Sequence, residues 1–328
     1  MPYLIKKQQI EKVLKMSDVV NIMQQVFSLH GRGKIQQPSK SYIIFDKGDM
    51  RSMPSYIMSP NMNIAGIKCV TVHPDNPRKG LPTVMATILL IDPKTGYNIA
   101  VLDGTLITDM RTGAAGALAA KYLSKKNAKR VAFVGAGQQA RTQLAGLMVV
   151  RKIKEVMVYD LSAERAAQFC KWVKGKFNIK AQAAQTVHAA TINCDIVVTT
   201  TPSRKPIVQP QDISAGTHIN AIGADAPGKQ ELSSALVKKA KIVIDEWEQS
   251  SHSGEINVPV SKGVISKKNV YAELGKIAAG LKKGRTNNRD ITMFDSTGLA
   301  AQDISTAFVV YNRLTKSKKS KLVGLKLF

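Results

Sequence analysis

The apolar positions in the first third of the chain follow two different periods. Between Ser17 and Leu29 they recur at helical spacing, with Ser17 as the predicted N-cap. From residue 42 onward they form short strand-like runs instead, at 42–45, 64–72, 83–91 and 98–102. The turns between these runs are too short for helical crossovers, so this part predicts an antiparallel or mixed sheet. A long Ala-rich helix is predicted next, over residues 105–123.

From residue 131 onward, apolar runs alternate with helical patterns. The predicted strands are 131–134, 156–160, 180–184, 195–201, 217–223, 241–246 and 291–294. The predicted helices include 162–175, 185–191, 230–239 and one near 270–283. Strands separated by helices predict a doubly wound parallel sheet that is covered on both faces. A last helix, 299–314, is expected to return to the first domain, so the predicted domains are 1–118 completed by 299–328, and 119–298.

The first of these strands leads into a glycine-rich turn, Gly135-Ala-Gly-Gln-Gln-Ala140. Gly135 lets the chain turn tightly, Gly137 lets the backbone approach a pyrophosphate, and Ala140 keeps the next helix close to the sheet. Asp160 stands at the tip of the second strand, where a carboxylate accepts hydrogen bonds from ribose hydroxyls. Strand, turn, helix and acid together predict dinucleotide binding. The acid favours NAD over NADP, because it repels a 2′-phosphate.

Length and composition limit the class of protein. At 328 residues, with 44% hydrophobic and 5% aromatic residues, the chain fits about two ordinary globular domains. Its apolar runs, such as 84–91, are shorter than the roughly 20 residues that span a bilayer, so we expect no membrane segment. The charged N-terminus does not resemble a signal peptide, and the protein is expected to be cytoplasmic. Three cysteines and five histidines form no zinc-binding spacing, so no metal is expected.

The net charge is strongly positive, +25 from 48 Lys and Arg against 23 Asp and Glu. A basic surface attracts nucleic acid without regard to sequence. The basic residues are nevertheless spread along the chain in pairs, as on solvated helix faces. The basic run at 316–321 contains no aromatic residues for base stacking. We therefore expect no specific nucleic-acid binding.

Three charged residues occupy positions where the pattern calls for an apolar residue or for a ligand. Lys68 shares a face of its predicted strand with Val70, and Arg111 lies on the apolar stripe of helix 105–123. Asp225 directly follows a predicted strand, at the end where open α/β sheets bind ligands. Each also has a structural interpretation: an edge lysine reaching water, a rim arginine beside close helix packing, and a helix N-cap. Together they predict a guanidinium for a carboxylate, and an ammonium and a carboxylate for proton transfer.

Further motifs run along nearly the whole chain. They are Arg51-Ser-Met-Pro54, Gly66-Ile-Lys68, His73-Pro-Asp-Asn-Pro77, Gly80-Leu-Pro-Thr-Val84, Leu106-Ile-Thr-Asp-Met-Arg-Thr-Gly-Ala-Ala115, Val134-Gly-Ala-Gly137, Thr199-Thr-Thr-Pro202, Ile219-Asn-Ala-Ile-Gly-Ala-Asp225, Pro227-Gly-Lys-Gln-Glu-Leu232, Gly254-Glu-Ile-Asn257 and Phe294-Asp-Ser-Thr-Gly298. In this order they resemble the ornithine cyclodeaminase/mu-crystallin family. The resemblance implies an α/β fold class: a Rossmann doubly wound parallel sheet plus a smaller α+β dimerisation and substrate domain, assembled as a homodimer.

The resemblance also implies site residues. Family members have a lysine, an arginine and an aspartate at the positions of Lys68, Arg111 and Asp225, the same three that the pattern marks as misplaced. In cyclodeaminases an acid that serves the distal amine of ornithine stands where this chain has Arg51, which favours a short substrate. The predicted cofactor-binding residues are Arg111, Thr112, Gly135, Gly137, Gln138, Gln139, Asp160, Thr200, Thr201, Asn220 and Gly223.

The activity that the resemblance implies is NAD-dependent oxidative deamination of L-alanine to pyruvate and ammonia, and the reverse reaction. Arg111, helped by Arg51, would bind the carboxylate of the amino acid or 2-oxo acid. Asp225 would accept the amine proton and later activate water. Lys68 would polarise or protonate the carbonyl-level intermediate, its pKa lowered by Arg111 and partial burial. Ornithine cyclodeaminase, a ketimine reductase and a mu-crystallin-like ligand-binding protein remain alternatives.

Overall fold

The computed structural model describes residues 1–317 and 322–326. Residues 318–321, which hold most of the basic run, and 327–328 lie outside the described residues. The chain divides into two compact units: the first consists of Met1–Arg111 with Leu299–Phe328, and the second is Thr112–Gly298. Within the described residues, no helix has the length and apolar character that crossing a membrane requires.

Strands predominate in the first unit, and strands and helices largely alternate in the second. The first unit begins with β1 (Tyr3–Ile5), α1 (Lys7–Val13), α2 (Met16–Gly31), β2 (Ile35–Gln36), β3 (Ser41–Phe45), β4 (Gly48–Ser59), β5 (Met62–Val72), β6 (Val84–Ile91), β7 (Asn98–Asp103) and α3 (Thr105–Leu123). The second unit contains β8 (Arg130–Val134), α4 (Gln138–Val150), β9 (Glu155–Tyr159), α5 (Ala163–Phe177), β10 (Lys180–Ala183), α6 (Val187–Thr191), β11 (Ile196–Thr199), β12 (His218–Ala221), α7 (Ser234–Lys239), β13 (Lys241–Ile244), α8 (Trp247–Ser253), α9 (Asn257–Ser261), β14 (Val270–Glu273), α10 (Leu274–Ala278) and β15 (Thr292–Asp295). The chain then returns to the first unit with α11 (Ala300–Lys316) and β16 (Val323–Gly324).

An eight-stranded mixed sheet forms the framework of the first unit, as the short turns predict. Its strand order is β16-β1-β7-β6-β5-β4-β2, with β3 also paired to β4. β1 and β7 are parallel, and the pairings among β2 to β7 are antiparallel. The apolar pattern does not reveal β1, α1 or most of β4. In β4, polar Arg51 and Ser55 occupy buried positions that alternate with less buried ones, which hides the strand period.

One face of this sheet is covered by α11. The strand register places Lys68 of β5 opposite Met53 of β4 and Ile88 of β6, so these three side chains share a face. Helix α11 packs against β4, β5 and β6. Gly66 permits this close approach, because a Cβ there would lie 2.8 Å from Cδ1 of Ile304. The predicted face of Lys68 is therefore an interior face.

The second unit is a doubly wound parallel sheet, which confirms the predicted fold class. Its strand order is β10-β9-β8-β11-β12-β15-β13-β14, and these neighbours pair in parallel. Successive residues of β8 face opposite sides: Val131 and Phe133 join one apolar cluster, and Ala132 and Val134 join the other. Both faces of the sheet are thus buried, as a parallel sheet requires.

Two predicted helices of the second unit need correction. Residues 270–283 are not one helix: their first four residues form β14, parallel to β13, and α10 is five residues long. Val270 and Tyr271 are β-branched and aromatic, so they fit a strand better than a helix. The helix predicted over 230–239 begins only at α7, where the hydroxyl of Ser233 caps the first turn.

Helix α3 has the predicted bounds and continues from the first unit into the second. The predicted domain boundary, after residue 118, lies about two helical turns beyond Arg111, where the first unit ends. The glycines after Arg111 serve helix packing. A Cβ on Gly113 would collide with the carbonyl oxygen of Thr142 in α4, and a Cβ on Gly146 with that of Gly113. Backbone contact between α3 and α4 therefore explains the small residues in this stretch.

Candidate active site

The glycine-rich turn joins β8 to α4 in the second unit. Gly135 has a φ of 100°, in the left-handed region that favours glycine. Its carbonyl oxygen accepts a hydrogen bond from Oγ1 of Thr200 at 3.1 Å, which ties the turn to the end of β11. A Cβ on Gly137 would meet no heavy atom within 4 Å among the described residues. Helix α4 begins with Gln138 and Gln139, and its N-cap is Gly137, which has no side chain to cap the first turn, so this helix start fits a pyrophosphate.

Asp160 lies beside the same turn. Its Oδ2 accepts a hydrogen bond from the backbone N–H of Ala136 at 2.9 Å, and its Oδ1 accepts one from that of Ser162 at 2.9 Å. The guanidinium of Arg165 lies 3.1 Å from Oδ1, and its side chain is 62% exposed. The predicted ribose-binding acid is therefore fixed next to the predicted pyrophosphate site. Turn, helix start and acid together fit a dinucleotide.

A buried glutamate that the sequence analysis does not single out joins the ends of β11 and β12. Oε2 of Glu231 accepts hydrogen bonds from Oγ1 of Thr199 at 2.7 Å and from the N–H of Gly223 at 2.9 Å. Its Oε1 accepts one from the N–H of Thr201 at 2.6 Å. Burial raises the pKa of Glu231, although the hydrogen bond from Thr199 opposes this effect. Glu231 thus brings together Thr201 and Gly223 of the predicted cofactor set.

Asp225 lies beyond β12 in a loop that other side chains hold. Nζ of Lys229 is 2.6 Å from Oδ1 of Asp225. Asn257 holds the loop from the other side: its Oδ1 accepts from the N–H of Gly228 at 2.9 Å, and its Nδ2 donates to the carbonyl oxygen of Lys229 at 2.8 Å. The alternative that Asp225 caps a helix does not hold, because the next helix, α7, begins at Ser234.

Two further residues of the predicted cofactor set make contacts inside the second unit. The side chain of Asn220 is buried: its Nδ2 donates to the carbonyl oxygen of Gly116 at 3.0 Å, and its Oδ1 lies 2.9 Å from Nε2 of His218. Burial lowers the pKa of His218 to about 3, so the ring is neutral. The carbonyl oxygen of Thr112 accepts from Nε2 of Gln143 at 2.9 Å. The Asn220 side chain is therefore bonded within the protein.

In the first unit, Lys68 and Arg111 meet at one buried carboxylate. Nζ of Lys68 donates to Oδ2 of Asp303 at 2.8 Å, and Nε of Arg111 donates to Oδ1 at 3.1 Å. Lys68 is 1% exposed, Arg111 6% and Asp303 0%, so neither the edge lysine nor the rim arginine interpretation holds. Two cations share one anion. The cluster carries excess positive charge whenever Lys68 is protonated.

The proton affinity of Lys68 is strongly altered. The pKa of Lys68 is lowered from its usual 10.5 to about 7: burial is the largest cause and the charge of Arg111 adds to it, whereas the charge and hydrogen bond of Asp303 oppose them. The sequence analysis predicts that the pKa of Lys68 is lowered and that Arg111 contributes to this shift, but it predicts only partial burial of the lysine. Burial is complete and is the largest cause. Lys68 can therefore give or take a proton near neutral pH.

Arg51 lies on the same face of the sheet, in β4, and has a carboxylate of its own. Its Nε donates to Oδ1 of Asp49 at 2.6 Å and its Nη2 to Oδ2 at 3.1 Å, which is a bidentate pair. Its Cζ lies 5.4 Å from the ring centroid of Tyr42. Asp49 balances the charge of Arg51, and this weakens the repulsion that we expect for a cationic substrate tail. A contribution of Arg51 to carboxylate binding stays a prediction.

Asp303 and Gln302 are site candidates that the sequence analysis misses. Asp303 lies on the helical stripe of α11 that also contains Ala307 and Leu314, both of which are buried. A charge on a buried helical stripe is the same signal that marks Lys68 on its strand, and it could have been used. Gln302 carries no such signal. Its Oε1 accepts a hydrogen bond from Nη1 of Arg111 at 2.7 Å.

The second unit has a doubly wound sheet with a glycine turn and a following acid, and the first unit has a buried lysine–arginine–aspartate cluster. These features define the class of two-unit dinucleotide-binding oxidoreductases. The chain belongs to the ornithine cyclodeaminase/mu-crystallin family, whose model matches residues 2–318. This match confirms the resemblance that the sequence motifs indicate.

Similar proteins cover almost the whole chain. The alanine dehydrogenase of Archaeoglobus fulgidus is 48% identical over 320 residues, which are 97% of this chain and 97% of that protein. A solved archaeal alanine dehydrogenase dimer with bound NAD has a TM-score of 0.93 and 46% identity, and covers 99% of each chain. The Δ1-pyrroline-2-carboxylate reductase of Thermococcus litoralis, in complex with NADH and L-proline, has a TM-score of 0.94 and 37% identity, with 98% of this chain and 100% of that chain covered.

Proposed function

We propose that the chain catalyses the NAD-dependent oxidative deamination of L-alanine to pyruvate and ammonia, and the reverse reductive amination. The coarser class, an NAD-dependent oxidoreductase of amino acids, follows from the family and from relatives solved with NAD or NADH. The observation that carries the proposal is the buried cluster of Lys68, Arg111 and Asp303, because two cations on one carboxylate suit an anionic substrate. The 48% identity to an alanine dehydrogenase supports alanine as that substrate.

Each residue's proposed role rests on its own chemical properties and on its contacts within its own unit. NAD supplies hydride acceptance when it is bound. Arg111 would bind the substrate carboxylate, since its bonds to Asp303 and Gln302 use two of the five N–H donors of a guanidinium. Lys68 would protonate the carbonyl-level intermediate, because its pKa of about 7 lets it donate at neutral pH. Asp225 would accept the amine proton and later activate water.

A second candidate function is the reduction of a cyclic imine that carries a carboxylate. The Thermococcus litoralis reductase, with its TM-score of 0.94, supports it. The Asp49 carboxylate that balances Arg51 supports it as well, since a balanced arginine does not select against a larger substrate by charge. Ornithine cyclodeamination is less favoured, because an arginine stands where that reaction needs an acid for the distal amine.

One set of assays tests these functions. Purified protein with NAD and millimolar alanine is expected to form NADH, and pyruvate with ammonia is expected to consume it. The proposal fails if alanine gives no NADH while ornithine releases ammonia and proline. It also fails if Δ1-pyrroline-2-carboxylate consumes NADH while pyruvate with ammonia does not.

Cofactor choice depends on Asp160. Asp160→Ala removes the carboxylate that repels a 2′-phosphate, so we expect the ratio of kcat/KM for NADP to that for NAD to rise about tenfold. The measurement is NADPH or NADH absorbance with alanine as substrate. Glu164→Ala is the matched control, because Glu164 is an exposed acid in α5 that bonds to Gln168. Equal efficiency of the unmodified protein with both cofactors would contradict the prediction.

Assembly is predicted from exposed apolar residues of β3. Ile43, Ile44 and Phe45 are 54%, 75% and 42% exposed, and neighbouring exposed apolar side chains of this size mark an interaction surface. The solved archaeal relative is a dimer. Light scattering at micromolar concentration is expected to give twice the chain mass of 35.7 kDa, and Ile44→Asp is expected to lower it. A monomer in the unmodified protein would remove this proposal.

A further inference from the structure

The side-chain amide of Gln302 has a fixed orientation. Its Oε1 accepts a hydrogen bond from Nη1 of Arg111 at 2.7 Å. A guanidinium can only donate, so the atom that faces it must be the amide oxygen and not the NH2 group. Nε2 of Gln302 is buried, and within residues 1–317 and 322–326 it has no hydrogen-bond partner. A buried NH2 donor therefore lies next to the arginine that we propose as the carboxylate ligand.

Gln37 has the same arrangement at the start of α11. Its Oε1 accepts a hydrogen bond from the backbone N–H of Ala301 at 3.3 Å, which fixes the orientation of this amide too. Nε2 of Gln37 is buried and finds no acceptor in the described part of the chain. The NH2 group of Gln302 thus belongs to the first turn of α11, and that of Gln37 belongs to a residue hydrogen-bonded to the same turn. One of them is tied to Arg111.

The chemistry of these groups indicates what would bind to them. Buried polar atoms in folded proteins almost always have a partner, so each exception calls for a reason. Both NH2 groups are donors, and Arg111 and protonated Lys68 are donors too. A set of donors matches an acceptor with several lone pairs, such as a carboxylate. It does not match an ammonium group, which can only donate.

We propose that Gln302 and Gln37 are substrate-binding residues whose NH2 groups donate to the carboxylate of the substrate beside Arg111. This inference rests on the proposed function and defines its substrate class as 2-amino and 2-oxo acids. Amines and amino-acid amides, which lack the carboxylate, are excluded as substrates. The fully buried Gln302 provides the stronger of the two contacts, because it is bonded directly to Arg111.

Gln302→Glu separates a ligand role from a structural one. One glutamate oxygen still accepts from Arg111, so the contact within the protein is kept, but the other oxygen replaces the NH2 donor and repels a carboxylate. We expect the KM for alanine and for pyruvate to rise about tenfold or more, with a smaller change in kcat and an unchanged KM for NAD. Gln37→Met, which leaves Arg111 and its partners in place, is expected to raise the same two KM values about threefold to tenfold.

The matched control is Gln249→Met. Gln249 is a buried glutamine of the second unit whose Oε1 is likewise unpaired within the described residues, so this variant should leave both substrate KM values unchanged. Calorimetry of pyruvate binding to the NAD-loaded protein gives a readout that needs no turnover. If the unmodified protein does not oxidise alanine but Gln302→Glu still weakens pyruvate binding, the proposed function fails and this inference stands. Unchanged pyruvate affinity in both Gln302→Glu and Gln37→Met would overturn it.

Discussion

Replacing Asp303 with alanine is expected to lower the free energy of unfolding by about 3–5 kcal/mol, the usual cost of removing one partner from a buried ion pair. Asp303 is the carboxylate that Lys68 and Arg111 share, at 2.8 and 3.1 Å. Without it, Arg111 is buried with no counter-charge, and Lys68 loses the partner that raises its pKa. The loss should be largest below pH 7, because above that pH Lys68, whose pKa burial lowers to about 7, gives up its proton.

Urea denaturation at about pH 6, where Lys68 is charged, measures this effect. The matched control is Asp18→Ala, which removes the acid of a second ion pair made by α11. Asp18 lies 2.6 Å from Nη1 of Arg313, but the two side chains are 28% and 40% exposed. Such a pair contributes at most about 1 kcal/mol. Equal losses in the two variants would show that the Asp303 cluster does not hold the first unit together.

Much of the candidate site can be predicted from the sequence, because a misplaced charge breaks a local period. Lys68 stands on a strand face, and Arg111 on a helical stripe, that should both be apolar. The apolar periodicity indicates that such a charged side chain is buried, but it does not indicate which opposite charge pairs with it. Asp303 is 235 positions from Lys68, and their contact exists only because α11 crosses β5. This pairing is a property of the tertiary fold.

In the second unit, too, the sequence predicts local features but not contacts between distant segments. The glycine turn and Asp160 belong to one strand–helix–strand segment, so local chemistry is enough to predict them. Glu231 bonds to the ends of two strands from a loop that has no period, and its role becomes visible only when β11 and β12 pair in parallel. The misread helix over residues 270–283 has a related cause, because pairing with β13 decides the conformation of β14.

Lys68→Met is expected to reduce turnover by about 10²-fold or more, the usual contribution of a positioned acid or base, while the KM for NAD stays within a few-fold. Methionine keeps the aliphatic stem and leaves Asp303 paired with Arg111, so the fold should survive. The measurement is NADH absorbance in both directions. Turnover within a few-fold of the unmodified protein would remove Lys68 from the proposed chemistry.

The pH dependence of pyruvate amination tests whether Lys68 supplies a proton. The pKa of Lys68 is about 7, so its protonated fraction falls as the pH rises through that value, and the rate should fall with it. Lys68→Arg keeps its charge at every pH of the assay, so its lower rate should show no such fall. Ammonia availability changes equally for both proteins, and the ratio of their rates therefore isolates Lys68. A ratio that stays constant from about pH 6 to about pH 9 would show that Lys68 is not the proton donor.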